Sequence, residues 1–213
     1  MANFANDHWY QITLKQFGLE KPLLSLATAN TTNNGTSPVF MQLTNTSMPN
    51  QRWQIWHAQN DSYVLRSGNS GPWGYMVSIA NRSDTAGGSS SVLDANSGNT
   101  VPTARNYAVI TDNAYLWKIS PWGDGSFMFT NVANGTDWHL QKEEGHGGMS
   151  LSSNVTGQQP GQRFIFNSLE KISKDAFATL QVCVSGILSE RTKLMSRSYH
   201  PHRLLHQLLQ KHR

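Results

Sequence analysis

Apolar side chains recur before Lys171 in short runs, at Leu23–Leu26, Val39–Leu43, Trp53–Trp56, Tyr75–Ile79 and Tyr107–Ile110, separated by stretches rich in Gly, Asn, Ser and Pro. Around these runs large side chains stand two positions apart, as Tyr63 with Leu65 and Phe127 with Phe129. Period two places both members of such a pair on one face of an extended strand. Short strands at this spacing, joined by polar turns, predict an all-β barrel or sandwich. No amphipathic helical pattern precedes Phe177.

The runs belong to a threefold repeat. An aromatic residue is followed two positions on by an apolar one and eight positions on by Gly: Tyr10, Ile12, Gly18; Tyr63, Leu65, Gly71; Phe127, Phe129, Gly135. Five residues past each Gly stands Leu23, Met76 or Leu140, expected to be equivalent core positions. Each copy closes on a second landmark, Gln51-Arg52-Trp53, Tyr115-Leu116-Trp117 or Gln162-Arg163-Phe164. The spacing from Trp53 to Tyr63 equals that from Trp117 to Phe127, ten residues in both. The Gly at fixed offset marks a turn with positive φ or a crowded backbone. Between Ser83 and Asn106 the middle copy carries an insertion of small polar residues, expected to be a surface loop.

A Gln-x-Trp-like landmark closing three units (Gln-x-Trp, Tyr-x-Trp and Gln-x-Phe), each opening with an aromatic strand and a turn Gly, resembles the ricin B-type lectin family, fungal members included; the best single match is Asn50-Gln51-Arg52-Trp53. The resemblance spans residues 8–172. It implies a β-trefoil, six strands closing a barrel and six capping it, which removes exposed sheet edges. Each closing aromatic would then be a core residue, its Gln satisfying backbone groups where repeats meet. The resemblance also implies carbohydrate binding in shallow pockets, one per repeat, through an Asp after the turn Gly and the Asn before Gln-x-Trp. A carboxylate or amide grips sugar hydroxyls there, and an aromatic face stacks on the ring.

This chain departs from the family's pattern. Four positions after the Gly, where the Asp belongs, stand Pro22, Tyr75 and His139; two positions after it stand Glu20, Trp73 and Asp137. A first pocket would use Glu20 and Asn50 with Phe40 as platform, and a third would use Asp137, Trp138, His139 and Asn154. The middle repeat has neither a carboxylate nor Gln-x-Trp, so no pocket of this kind is expected there. Pro72-Trp73-Gly74 and Pro121-Trp122-Gly123 set Trp between turn formers, either exposed for stacking or folded over the barrel end.

Composition narrows the alternatives. Charged residues make up only 14% of the chain. The net charge of +4 divides into −1 for residues 1–172 (ten basic, eleven acidic) and +5 for residues 173–213 (seven basic, two acidic). The near-neutral body offers no basic face to a nucleic acid. No nucleophile elbow, HExxH or phosphate-binding loop occurs, and Glu143-Glu144 point to opposite faces if extended. The sequence calls for neither an enzyme nor a cofactor. The alternative function is a trefoil without sugar sites that binds protein, as protease inhibitors do, through the Ser83–Asn106 loop; the Gly content of that loop argues against tight inhibition.

With no apolar run of spanning length and no signal-like start, the chain reads as cytoplasmic. Seven Asn-x-Ser/Thr sequons, among them Asn45, Asn60 and Asn154, point instead to the extracellular side.

After Ile172 the character changes. Ser173 would cap a helix through Gln181, and Arg203–Arg213 gathers Leu204, Leu205, Leu208 and Leu209 on one helical face, which implies membrane-surface or partner contact by a helical or disordered tail. His200, His202, His206 and Cys183 lack the closed spacing of a metal site. Read-through of a mis-spliced transcript at Val182-Cys183 accounts for the tail equally well.

Overall fold

The computed structural model describes residues 3–15, 22–29, 36–58, 60–79, 100–106, 112–145, 147–157 and 159–180. They form twelve strands: β1 (His8–Leu14), β2 (Leu24–Thr28), β3 (Thr36–Leu43), β4 (Trp53–His57), β5 (Ser62–Ser67), β6 (Gly74–Ile79), β7 (Val101–Asn106), β8 (Trp117–Pro121), β9 (Phe127–Asn131), β10 (His139–Lys142), β11 (Met149–Ser152) and β12 (Phe164–Lys171). Six of them pair in a closed antiparallel ring, β1–β4–β5–β8–β9–β12 and back to β1. The hairpins β2–β3, β6–β7 and β10–β11 cap one end and touch each other through β3–β7, the Phe40–Gly148 bridge and the Leu151 to Thr100 hydrogen bond. A six-stranded ring capped by three hairpins is a β-trefoil.

The threefold relation is visible in register. The aromatic that opens each repeat pairs with the aromatic that closes it: Tyr10 with Trp53, Tyr63 with Trp117, Phe127 with Phe164. Trp53, Trp117 and Phe164 are fully buried in one core with Ile12, Leu26, Met76, Phe129 and Leu140. The indole N–H groups donate to equivalent carbonyls, Trp53 to Leu26 at 2.8 Å and Trp117 to Met76 at 3.0 Å. Phe4 lies against all three opening aromatics, edge-on to Tyr10 and Tyr63 at 5.4 Å and tilted toward Phe127. Gly71 and Gly135 have φ of +69° and +86°, the left-handed turn positions expected of them.

Three expectations need correction. Leu23 is 43% exposed, and the position equivalent to Met76 and Leu140 is Leu26. Three extra residues therefore separate Gly18 from the core strand in the first repeat. Next, the inserted run is not all loop, because Val101–Asn106 forms β7. Only Ala104 of that strand reaches the main core, so the segment carries too little apolar pattern to read as a strand. Tyr107–Ile110 and residues 80–99 lie outside the described residues.

The third correction concerns the chain after Lys171. Ser173 opens no α-helix; a 3-10 turn forms at Asp175–Phe177 with Lys174 at its N-cap. Phe177 is buried edge-on to Trp9 at 5.0 Å. The Ile172 amide donates to Asp7, and Leu180 packs against a second apolar cluster built on Tyr75, Val77 and Tyr115. The packed body thus runs through Leu180; the expected helical face at Arg203–Arg213 lies outside the described residues.

Candidate functional site

Each cap hairpin turns one face outward, and the core register fixes which residues occupy it. The position just before Leu26, Met76 and Leu140, where the resemblance calls for Asp, is held by Ser25, Tyr75 and His139. In the first repeat the offset from the turn Gly pointed to Pro22, three residues too early. Across the hairpins these residues face Gln42, Arg105 and Ser152.

The first repeat offers the most open polar face. Phe40 and Gln42 alternate with the buried Val39 and Met41, so both point outward and both are half-buried. The Gln42 amide donates to Asn50 Oδ1 at 3.4 Å, and Asn50 Nδ2 donates to the Thr28 carbonyl at 3.2 Å. Ser25 is buried and shares a hydrogen bond with Thr44 at 2.8 Å. Gln51 fixes the adjoining turn: its Oε1 accepts from the Asn45 amide and its Nε2 donates to the Leu43 carbonyl, both at 2.8 Å. An aromatic edge and two amides are thereby held side by side. Glu20 lies outside the described residues.

The third repeat is more closed. His139 is buried, its Nδ1 3.0 Å from Gln162 Oε1 and its ring edge-on to Trp122 at 5.5 Å. Gln162 Nε2 donates to Gln141 Oε1 and to the Asn154 carbonyl, both at 2.9 Å. Trp138 packs against the main core. Asp137 is exposed, bonded to its neighbour Thr136, and Asn154 accepts from Thr156 within its own turn. Thus His139 and Asn154 share Gln162, while Asp137 and Trp138 stand apart from that network. Gly161 occupies the place of Asn50, and a Cβ there would come within 2.9 Å of the Lys142 carbonyl. Trp122 donates to the Gln162 carbonyl at 3.2 Å and folds over the barrel end, whereas Trp73 is 49% exposed.

In the second repeat the outward face is filled by Tyr75, Val77, Ala114 and Tyr115. Beside it lies a residue that the alternation pattern disguised. Arg66 is only 1% exposed, its guanidinium 5.8 Å from the Trp56 ring, 5.7 Å from Tyr75 and 5.5 Å from Phe177. Burial pushes the Tyr75 phenol up from its ordinary pKa and pulls the Arg66 guanidinium down. An Arg following Tyr63-Val64-Leu65 reads as a solvated outward residue, so no sequence signal distinguished it.

A cleft of about 430 Å³ opens between the first and third repeats. Its walls are Leu14, Leu24 and Pro160, and its rim carries Lys15, Gln141 and Glu144. Among the described residues no cluster of His, Cys, Asp or Glu has the makings of a metal site, and no helix is long and apolar enough to cross a membrane.

No family model and no curated protein sequence matches the chain. Solved structures do match it. The designed threefold-symmetric protein ThreeFoil superposes with a TM-score of 0.56 at 17% identity over 76% of this chain and 99% of its own. The Polyporus squamosus lectin, solved bound to the epitope Neu5Acα2-6Galβ1-4GlcNAc, gives 0.52 at 19% identity over 78% of this chain and 51% of the lectin. An exo-β-1,3-galactanase from Clostridium thermocellum gives 0.54 at 15% identity, this chain spanning 30% of that enzyme. These likenesses agree on the fold, and lectins are among the neighbours.

Proposed function

We propose that this protein is a non-catalytic, carbohydrate-binding trefoil of the ricin B type, and that its principal site is the outer face of the β2–β3 hairpin. The observation that carries the reading is the alignment of Phe40, Gln42 and Asn50, with Asn50 anchored on the Thr28 carbonyl. Sugar hydroxyls are uncharged donors and acceptors that pair with amides, and the apolar side of a pyranose stacks on an aromatic ring. Glu20 supplies the carboxylate in this reading. The third repeat contributes a weaker site around the exposed Asp137 and Asn154, with the half-buried Trp138 and the buried His139 behind them.

Titration calorimetry with a glycan that the full chain binds tests the assignment. Phe40→Ala and Asn50→Ala should each weaken binding roughly tenfold, equivalent to about 1.4 kcal/mol, with the melting temperature close to the parent's. A Phe40→Ala/Asn50→Ala double variant that binds as tightly as the parent would overturn the assignment, and a matching loss in Asp137→Ala would move the site to the third repeat.

A further inference from the structure

The guanidinium of Arg66 is a buried cation with no carboxylate in ion-pair range among the described residues. Two of its nitrogens are occupied, Nη1 by the Pro72 carbonyl at 3.1 Å and Nη2 by the Thr179 carbonyl at 2.8 Å. The third, Nε, is buried without a hydrogen-bond partner. Nε–H and Nη2–H lie along one edge of the planar group and form the parallel pair of donors that matches the two oxygens of a carboxylate. A single neutral carbonyl oxygen therefore fills half of a two-oxygen site.

The surroundings say what carries that oxygen. The Phe177 ring is held between Trp9 and Arg66, and the Phe177 carbonyl accepts from Gln54 Nε2 at 3.0 Å. The Thr179 carbonyl, two residues on, reaches Arg66. Residues 173–176, 178 and 179 are exposed, so this short segment is fixed by one aromatic anchor and two main-chain carbonyls. A chain that ends at the position of Thr179 would set a carboxylate in place of that second carbonyl.

We propose that the outer face of β4 and β5 is a reader of peptide C-termini, whose ligand is a chain end with an aromatic residue two positions before the terminal one. The segment Asp175–Thr179 occupies the groove in cis as a neutral surrogate. Gln54 reads the carbonyl of the aromatic residue, Trp9 and the Arg66 guanidinium hold its ring, and Arg66 takes both terminal oxygens, neutralising its charge. The site borders the filled face of the second repeat, away from the β2–β3 hairpin, and does not depend on the carbohydrate reading.

The test uses the full chain carrying Phe177→Ala, which empties the aromatic pocket, with Phe177→Leu as the substitute should that variant not fold. Each is titrated with the pentapeptide Asp-Ala-Phe-Ala-Thr, once as free acid and once as C-terminal amide. The two peptides differ only in the terminal carboxylate. The acid should bind at least about tenfold more tightly, since a charge-assisted bidentate pair replaces one neutral hydrogen bond. Adding Arg66→Lys, which keeps the charge but loses the two-donor edge, should shrink that ratio to about threefold or less. Equal affinity for acid and amide, no binding of either, or a ratio that survives Arg66→Lys would overturn the proposal.

Discussion

Asp124 ties three segments together at one carboxylate. It accepts from Lys15 at the end of β1 at 2.7 Å, from Arg163 ahead of β12 at 2.6 Å, and from the Ser126 hydroxyl and amide in its own turn. The bond from Lys15 first, then those from Ser126, hold its pKa well below the ordinary 3.8. A depressed carboxylate stabilises the fold fully above its unfolded value, and the contribution is lost as pH falls from there through the lowered folded value. Asp124→Asn should therefore lower the melting temperature at pH 7, with the gap to the parent narrowing as the pH drops below about 4. A gap of constant size down to pH 2 would contradict this role. At the core, Trp53→Ala and Trp117→Ala should each cost about 3–5 kcal/mol in denaturant unfolding, the range for large aromatics in a packed interior. A cost under about 1 kcal/mol for either would show that the barrel core is organised differently.

At the scale of elements, legibility followed side-chain size. Strands whose alternate positions carry Trp, Tyr, Phe or Ile, such as β4, β5, β8 and β9, stand where period two placed them. The strand β7 was missed because its inward residue is Ala104 and the rest of Val101–Asn106 is polar or Pro. Leu23 was misplaced because a fixed offset from a turn Gly cannot register three extra residues; only the Trp53 to Leu26 hydrogen bond settles which residue matches Met76. In the candidate site, Asn50 was readable from the motif and Phe40 as an aromatic platform, while Gln42 was not, since its place comes from strand alternation beside Asn50. His139 was legible as a residue but not as a buried one, because its burial depends on Gln162 and Trp122, both far along the chain. The turn after β12 yields a prediction of its own. A chain ending at Ile172 loses the Phe177 ring, its carbonyl's bond to Gln54 and the Thr179 carbonyl's bond to Arg66, and should unfold cooperatively but with about 3 kcal/mol less stability. A chain ending at Leu180 should keep the parent's stability, and equal stability of the two truncations would show that Phe177 adds nothing.

Across the whole molecule, ring closure couples the ends of the body: β1 pairs with β12 along nearly its full length, and Phe4 bridges the three repeats at the barrel mouth. This architecture leaves the outer faces of the cap hairpins free to differ without disturbing the core. The second repeat has filled its face with Tyr75, Val77 and Tyr115, the third has sealed His139 beneath Trp122, and the first keeps Phe40, Gln42 and Asn50 at the surface. In the proposed reading the sugar hydroxyls met at that face are uncharged, so binding should be insensitive to ionic strength, unlike binding to a polyanion. A glycan array probed with the full-length protein at low salt and at about 0.5 M salt is the most direct measurement. The account predicts a restricted set of bound glycans, the same at both salt concentrations and displaced by free sugar. An array on which the cooperatively folded protein binds no glycan, or binds only acidic glycans at low salt, would contradict it.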